Sequence, residues 1–123
     1  LEESDYVCVA VPHTEETHHL IGEDQLRQLG PRGHLVNVAR GGVVDEEALV
    51  EALRRRTIAG AGLDVFTYEP LPADSPLCRL DNVILTPHIG GGTGTTRESE
   101  LSEALDEVKR LMNGGALRHP VVM

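Results

Sequence analysis

The run Leu35-Val36-Asn37-Val38-Ala39-Arg40-Gly41-Gly42-Val43-Val44-Asp45 decides the fold. Residues 35–39 are nearly all apolar, as in a strand buried on both faces of a parallel sheet. Arg40-Gly41-Gly42 interrupts that run, and Asp45 is a good helix N-cap. Glu46 and Glu47 then suit the positive end of a helix dipole, and Arg54-Arg55-Arg56 suits the negative end. Ala48, Leu49, Ala52 and Leu53 supply an apolar stripe between them. The triple arginine is explained as a helix terminus rather than a binding patch.

The same alternation continues outward from this βα unit. Residues 5–11 (Asp-Tyr-Val-Cys-Val-Ala-Val) predict a strand apolar on both faces, stopped by Pro12. Residues 23–29 predict a short helix with Leu26 and Leu29 one turn apart, ended by Gly30-Pro31-Arg32-Gly33. Residues 58–65 predict a third strand, in which Gly60 and Gly62 mark close approach to the backbone. Pro70, Pro72 and Pro76 exclude a helix over residues 66–81, which read as a long loop; such loops in compact domains tend to be functional. Residues 83–86 predict a fourth strand. Residues 96–112 predict the last helix, with Leu101, Ala104, Leu105, Val108, Leu111 and Met112 at helical spacing. Thr95 and Glu98 offer it a capping box, and Asn113-Gly114-Gly115 ends it. Strands alternating with helices imply an α/β, doubly wound parallel sheet.

Composition narrows the function. At 123 residues the chain can bury a real core, and with aromatics at 2% that core must come from Val, Leu, Ile and Ala. A formal charge of −9 argues against nucleic acid or an anionic membrane surface as partner. The N-terminus has no signal-peptide pattern, and no apolar run approaches the roughly 18 residues of a membrane span. A cytoplasmic location is the expectation. Cys8, inside an apolar run, is expected to be a buried free thiol, and two cysteines fit a reducing compartment as well as any other.

In open parallel sheets, ligands bind outside the carboxyl ends of the strands. Arg40, Asp64, Glu69 and His88 all fall at or just after those ends. Arg40, followed by two glycines, offers an uncrowded bidentate fork for a carboxylate. His88, beside a carboxylate such as Glu69, would be favoured as the imidazolium and would serve as a proton donor to a carbonyl. Taken singly, a surface arginine, a loop acid and a solvated histidine are all ordinary; their combination at three strand ends is not. Other candidates fail. Gly60-Ala61-Gly62-Leu63-Asp64-Val65 has Val at the third glycine position of G-x-G-x-x-G, and Gly92-Thr93-Gly94 has Arg97 there. Residues 90–96 contain no lysine and form no P-loop. His13, His18 and His19 match no standard metal-ligand spacing, so no metal is expected.

Three islands in this order resemble the D-isomer-specific 2-hydroxyacid dehydrogenases: residues 37–45, Asp64-Val65-Phe66-Thr67-Tyr68-Glu69-Pro70, and Thr86-Pro87-His88-Ile89-Gly90-Gly91. The resemblance extends through Ser4-Asp5-Tyr6-Val7, Pro12-His13-Thr14-Glu15-Glu16-Thr17, residues 58–66 and the tail Leu117-Arg118-His119-Pro120-Val121. Residues 66–70 and the glycines at 90–92 lean toward its glyoxylate/hydroxypyruvate reductase branch. The resemblance implies hydride transfer between NAD or NADP and a 2-oxo or 2-hydroxy acid. Arg40 would hold the substrate carboxylate, His88 would be the acid/base, and Glu69 would orient His88. Asp64 would meet the nicotinamide end of the cofactor. Val11, Pro12, Val38, Ala39, Arg40, His88, Gly90 and Gly91 would line the same pocket. Residues 1–112 would be the C-terminal half of a Rossmann-like NAD(P)-binding domain, and 113–123 a tail returning to a substrate domain. A homodimer is common in that family.

The family's glycine-rich G-x-G-x-x-G turn, with an acidic residue roughly 20 positions on, is missing from this chain. Without that pyrophosphate cradle, the isolated chain is expected neither to bind NAD tightly nor to turn over substrate; micromolar binding by calorimetry would contradict this. It should also leave residues 6–11 as an exposed apolar sheet edge. The alternatives are an NAD(H)-sensing, corepressor-like binding module and an inactive fragment.

Overall fold

The computed structural model describes residues 1–118 and 120. The chain divides into two compact units, one spanning Leu1–Gly90 and one beginning at Gly91. The first contains a four-stranded, wholly parallel sheet in the order β1-β2-β3-β4. The strands are β1 (Tyr6–Val9), β2 (His34–Asn37), β3 (Gly60–Leu63) and β4 (Val83–Leu85). Helices α1 (Glu23–Leu29) and α2 (Glu46–Arg54) connect β1 to β2 and β2 to β3. The α/β parallel sheet is therefore as expected, and both helices match their predicted spans. Asp45 caps α2 by accepting from the Ala48 N–H at 3.1 Å.

The strands are shorter than their apolar runs. β2 stops at Asn37 because that side chain, 1% exposed, takes over the next peptides. Its Oδ1 accepts from Ala39 N–H and its Nδ2 donates to the Arg40 carbonyl, both at 3.1 Å. Ala39 thus leaves the ladder, and Val38 keeps only its N–H bond to the Val9 carbonyl, at 3.3 Å.

Register aligns Val7, Leu35, Ala61 and Val83 in one row, and Val9, Asn37, Leu63 and Leu85 in another. These rows share a face by the two-residue period, and their apolar members pack in one core with Leu26, Leu29, Leu49 and Leu53. The opposite face differs from expectation. Tyr6 and Ile84 are each 72% exposed, and Cys8 is an exposed free thiol rather than a buried one. The apolar pattern on both sides of β1 is real, but α1 and α2 cover only one of them. β1 lies at the sheet edge, as expected.

Two further details differ. A Cβ on Gly60 would lie 2.9 Å from the Asn82 carbonyl oxygen, so that glycine does mark a close approach; at Gly62 the contact is an ordinary 3.9 Å. The proline-rich loop contains a 3₁₀ turn, Pro76–Arg79, capped by Ser75 and seating the fully buried Leu77. Proline at the first helical position excludes nothing, since its missing N–H would be unpaired there anyway.

In the second unit, α3 spans Gly94–Met112. Thr93, not Thr95, is its N-cap, accepting from Thr96 N–H at 3.3 Å. No α3 residue is buried: Leu101, Leu105, Val108 and Leu111 are 50–62% exposed. The stripe expected from spacing is present, but it is not core. Arg118 folds back on α3 through Glu107, with N–H to Oε2 at 2.9 Å and Nε to Oε1 at 3.0 Å. Residues 119 and 121–123 of the expected tail lie outside the described residues. Among the described residues no helix is long and apolar enough to cross a membrane.

Candidate active site

Parallel topology places the loops that follow β2, β3 and β4 on one rim, and each carries part of the site. Arg40 follows β2. Its Nη1 donates to the Ala39 carbonyl at 2.7 Å, and among the described residues no carboxylate lies within ion-pair distance of it. An exposed guanidinium with its remaining donors unpaired is a free anion fork. Gly41 explains how this turn meets the next loop. A Cβ there would sit 2.0 Å from the carbonyl carbon and oxygen of Phe66, so Gly41 packs directly against the Phe66–Thr67 peptide. Glu46, at the start of α2, secures the same contact by accepting from Thr67 N–H at 3.0 Å.

Glu69 is held in that loop by its own turn, with Oε1 accepting from Phe66 N–H at 2.9 Å. Its other oxygen, Oε2, lies 2.8 Å from His88 Nδ1. The hydrogen bond from His88, then that from Phe66, keep the Glu69 carboxyl below its ordinary value, and the charges of His88 and Arg40 act in the same direction. An ionised carboxylate can only accept, so Nδ1 carries the proton and Nε2 is left to face outward. The His88 side chain is 45% exposed.

Asp64, just past β3, is 7% exposed and makes three bonds to the β4 loop. Oδ1 accepts from the Thr86 hydroxyl and from Ile89 N–H at 3.0 Å; Oδ2 accepts from Gly90 N–H at 2.8 Å. The Thr86 bond, with those of Gly90 and Ile89, overcomes the opposing effect of burial and lowers the Asp64 pKa.

Most of the expected site residues line two separate cavities, while Asp64 and Gly90 line neither. Glu69 and His88 line one of about 670 Å³, together with Phe66, Leu71, Cys78 and Leu85. Val11, Pro12, Val38, Ala39 and Arg40 line another of about 490 Å³, with Ala10 and His13. The packing of Gly41 on Phe66 joins the loops that border them. Gly91 belongs to the second unit and is described only there. Asn37, Glu46 and Thr86 also shape the site but were not among the expected residues. Asn37 had a visible signal, a lone amide inside an apolar run; Glu46 had been accounted for by the helix dipole alone. His13 Nε2 lies 3.1 Å from His18 Nδ1, and among the described residues no group of three or more His, Cys, Asp or Glu is placed to hold a metal.

A nicotinamide needs an apolar wall for its ring and a site that stays open to it. Val11 and Val38, 37% and 47% exposed beside Arg40, fit that requirement; no glycine-rich turn in this chain fits a pyrophosphate. A parallel α/β sheet with a carboxylate-held histidine and a free arginine on its carboxyl rim defines a dehydrogenase-type nucleotide-binding domain. Comparison with known proteins makes the class specific. Residues 1–90 match the family described as D-isomer specific 2-hydroxyacid dehydrogenase, NAD binding domain, and the chain belongs to that family. Glyoxylate/hydroxypyruvate reductase B of Pectobacterium carotovorum subsp. carotovorum (strain PC1) is 53% identical over 114 residues, covering 93% of this chain and 36% of that protein. The crystal structure of an NADPH-dependent glyoxylate/hydroxypyruvate reductase from Sinorhizobium meliloti, with NADP and malonate, superposes with a TM-score of 0.89 at 42% identity, covering 98% of this chain and 38% of that one. The D-lactate dehydrogenase of Lactobacillus jensenii, solved with NAD+, gives a TM-score of 0.89 at 32% identity, covering 100% and 41%. The chain spans about a third of the length of the curated relatives it matches.

Proposed function

We propose that this chain supplies the catalytic side chains of an NAD(P)-dependent 2-hydroxyacid dehydrogenase that reduces a small 2-oxo acid, with glyoxylate and hydroxypyruvate the first substrates to test. The observation that carries this reading is the 2.8 Å His88–Glu69 bond, which leaves Nε2 free on the rim that also presents Arg40.

Arg40 grips the substrate carboxylate through its unpaired guanidinium N–H groups and fixes which face of the carbonyl is presented. A nicotinamide, when bound, would supply the hydride for C2. His88, as the imidazolium, donates its Nε2 proton to the carbonyl oxygen as that oxygen becomes an alcohol, and is left neutral with Nδ1–H on Glu69. Glu69 holds the ring in one orientation throughout. In the reverse direction the neutral ring takes the proton back. Val11, Pro12, Val38, Ala39 and Arg40 would form the wall for the nicotinamide, with the turn of His88 and Gly90 beside it. Residues 1–112 serve as the C-terminal half of the NAD(P)-binding domain, and 113–123 as a tail toward a substrate domain. A homodimer of the full-length, cytoplasmic protein completes the reading.

The test is a full-length protein carrying this chain, assayed with glyoxylate, hydroxypyruvate and phosphohydroxypyruvate, each with NADH and NADPH. One of these pairs should turn over, and His88→Gln should lower its kcat by the 10²–10⁴-fold typical of a lost general acid. A His88→Gln enzyme within threefold of the parent rules out the assigned role.

A further inference from the structure

We propose that Asp64 is a positioning residue for His88: its carboxylate is the anchor that shapes the Thr86–Gly90 turn and so aims the imidazole. This deepens the dehydrogenase reading and rests on it for the catalytic consequence.

Three donors from one five-residue turn converge on Asp64: the Thr86 hydroxyl, the Ile89 N–H at 3.0 Å and the Gly90 N–H at 2.8 Å. They bracket His88, whose own backbone is at φ 53°, a left-handed conformation that a non-glycine residue adopts only when its surroundings impose it. The remaining local bond, His88 N–H to the Thr86 carbonyl at 3.0 Å, lies within the turn and cannot orient it against the sheet. Asp64 can. Its backbone is fixed at the end of β3 by Asp64 N–H to the Asn37 carbonyl at 3.0 Å, and Thr86 N–H bonds the Leu63 carbonyl at 2.9 Å.

The residue types follow from this arrangement. Three donors require a group that only accepts, which a carboxylate is and an amide is not. Gly90 must lack a side chain, because a Cβ there would lie 2.9 Å from Asp64 Oδ2. A carboxylate has about four acceptor positions, and the turn occupies three. A fourth acceptor position remains, which a cofactor amide would take, so anchoring the turn and meeting the nicotinamide would be compatible roles.

The two roles are separated by a substitution that leaves the carboxylate in place. In the full-length protein, Thr86→Val removes one donor to Asp64, and Thr86→Ser restores it. Thr86→Val should lower kcat at least tenfold, leave the cofactor KM within threefold, and speed hydrogen exchange of the peptide covering residues 86–91 by tenfold or more. Thr86→Ser should recover both kcat and protection. Asp64→Asn, which faces an NH₂ toward a donor, should show the same exchange effect with a larger loss of kcat. If Thr86→Val leaves kcat and exchange unchanged while Asp64→Asn raises only the cofactor KM, Asp64 serves the cofactor alone and the proposal is wrong. A parent protein that turns over none of the substrates overturns the dehydrogenase reading instead, and the exchange data still decide whether Asp64 holds the turn.

Discussion

Gly41→Ala should be the most damaging small substitution in the site. The added Cβ would meet the Phe66 carbonyl carbon and oxygen at 2.0 Å and the Thr67 nitrogen at 2.4 Å. All three are backbone atoms, and none can swing aside. Restoring an ordinary contact of about 3.4 Å requires the two loops to part by about 1.4 Å (3.4 − 2.0). Overpacking of this kind costs about 1–3 kcal/mol, and with backbone on both sides the upper figure applies. In a protein of 150–250 residues or more, about 3 kcal/mol corresponds to a fall in Tm of at most roughly 6–12 °C. The same separation moves Arg40 away from the Glu69–His88 pair, and a displacement of about 1 Å typically costs ~10²-fold in rate. Thermal unfolding and kcat/KM of the full-length protein measure the two effects. The control is Gly42→Ala, whose Cβ meets the His13 ring at 2.6 Å, an exposed side chain that can shift at the cost of its bond to His18 rather than backbone that cannot. If Gly41→Ala melts within a few degrees of Gly42→Ala and keeps kcat/KM within threefold, the loops do not depend on that close contact and the argument fails.

Two other outcomes follow from the same geometry. Glu69 and Asp64 titrate below their ordinary values of 4.5 and 3.8, so each stabilises the fold at neutral pH, and that contribution is lost as pH falls from those values through the lower folded ones. A Tm profile from pH 6 to pH 2 should therefore drop less steeply below pH 4.5 for Glu69→Gln than for the parent; the effect is modest because the Glu69 side chain is 35% exposed. Parallel profiles would remove the linkage. Asn37→Ala strips the buried partners from Ala39 N–H and the Arg40 carbonyl, at a cost of about 1–3 kcal/mol. With the Arg40 turn loosened, KM for the 2-oxo acid should rise more than kcat falls, and an unchanged KM with only a lower Tm would make Asn37 purely structural.

The elements legible in the chain were those whose partners are local. Asp45 and Arg54 act at the two ends of α2, and that helix appeared where they placed it, whereas Glu46 also reaches Thr67 N–H and Arg56 pairs with Asp81 beyond the helix. The placement of Arg40, Glu69 and His88 in the loops after successive strands was legible for a different reason: once strands alternate with helices, parallel topology alone delivers successive strand ends to one rim. What pattern reading could not resolve depended on choices made in three dimensions. Thr93, Thr95 and Thr96 are equally competent caps, and the extended backbone at Thr93 selects one of them. Tyr6 and Ile84 look like core because a two-residue period reports that a face is apolar, not that anything covers it. Asp64 is the sharpest case. Its partners lie 22–26 residues further along the chain, and two of the three are backbone N–H groups, which every residue but proline possesses. A side chain that serves the backbone of a distant turn leaves no motif of its own, so its role can be read only where the strand end and the turn already stand together.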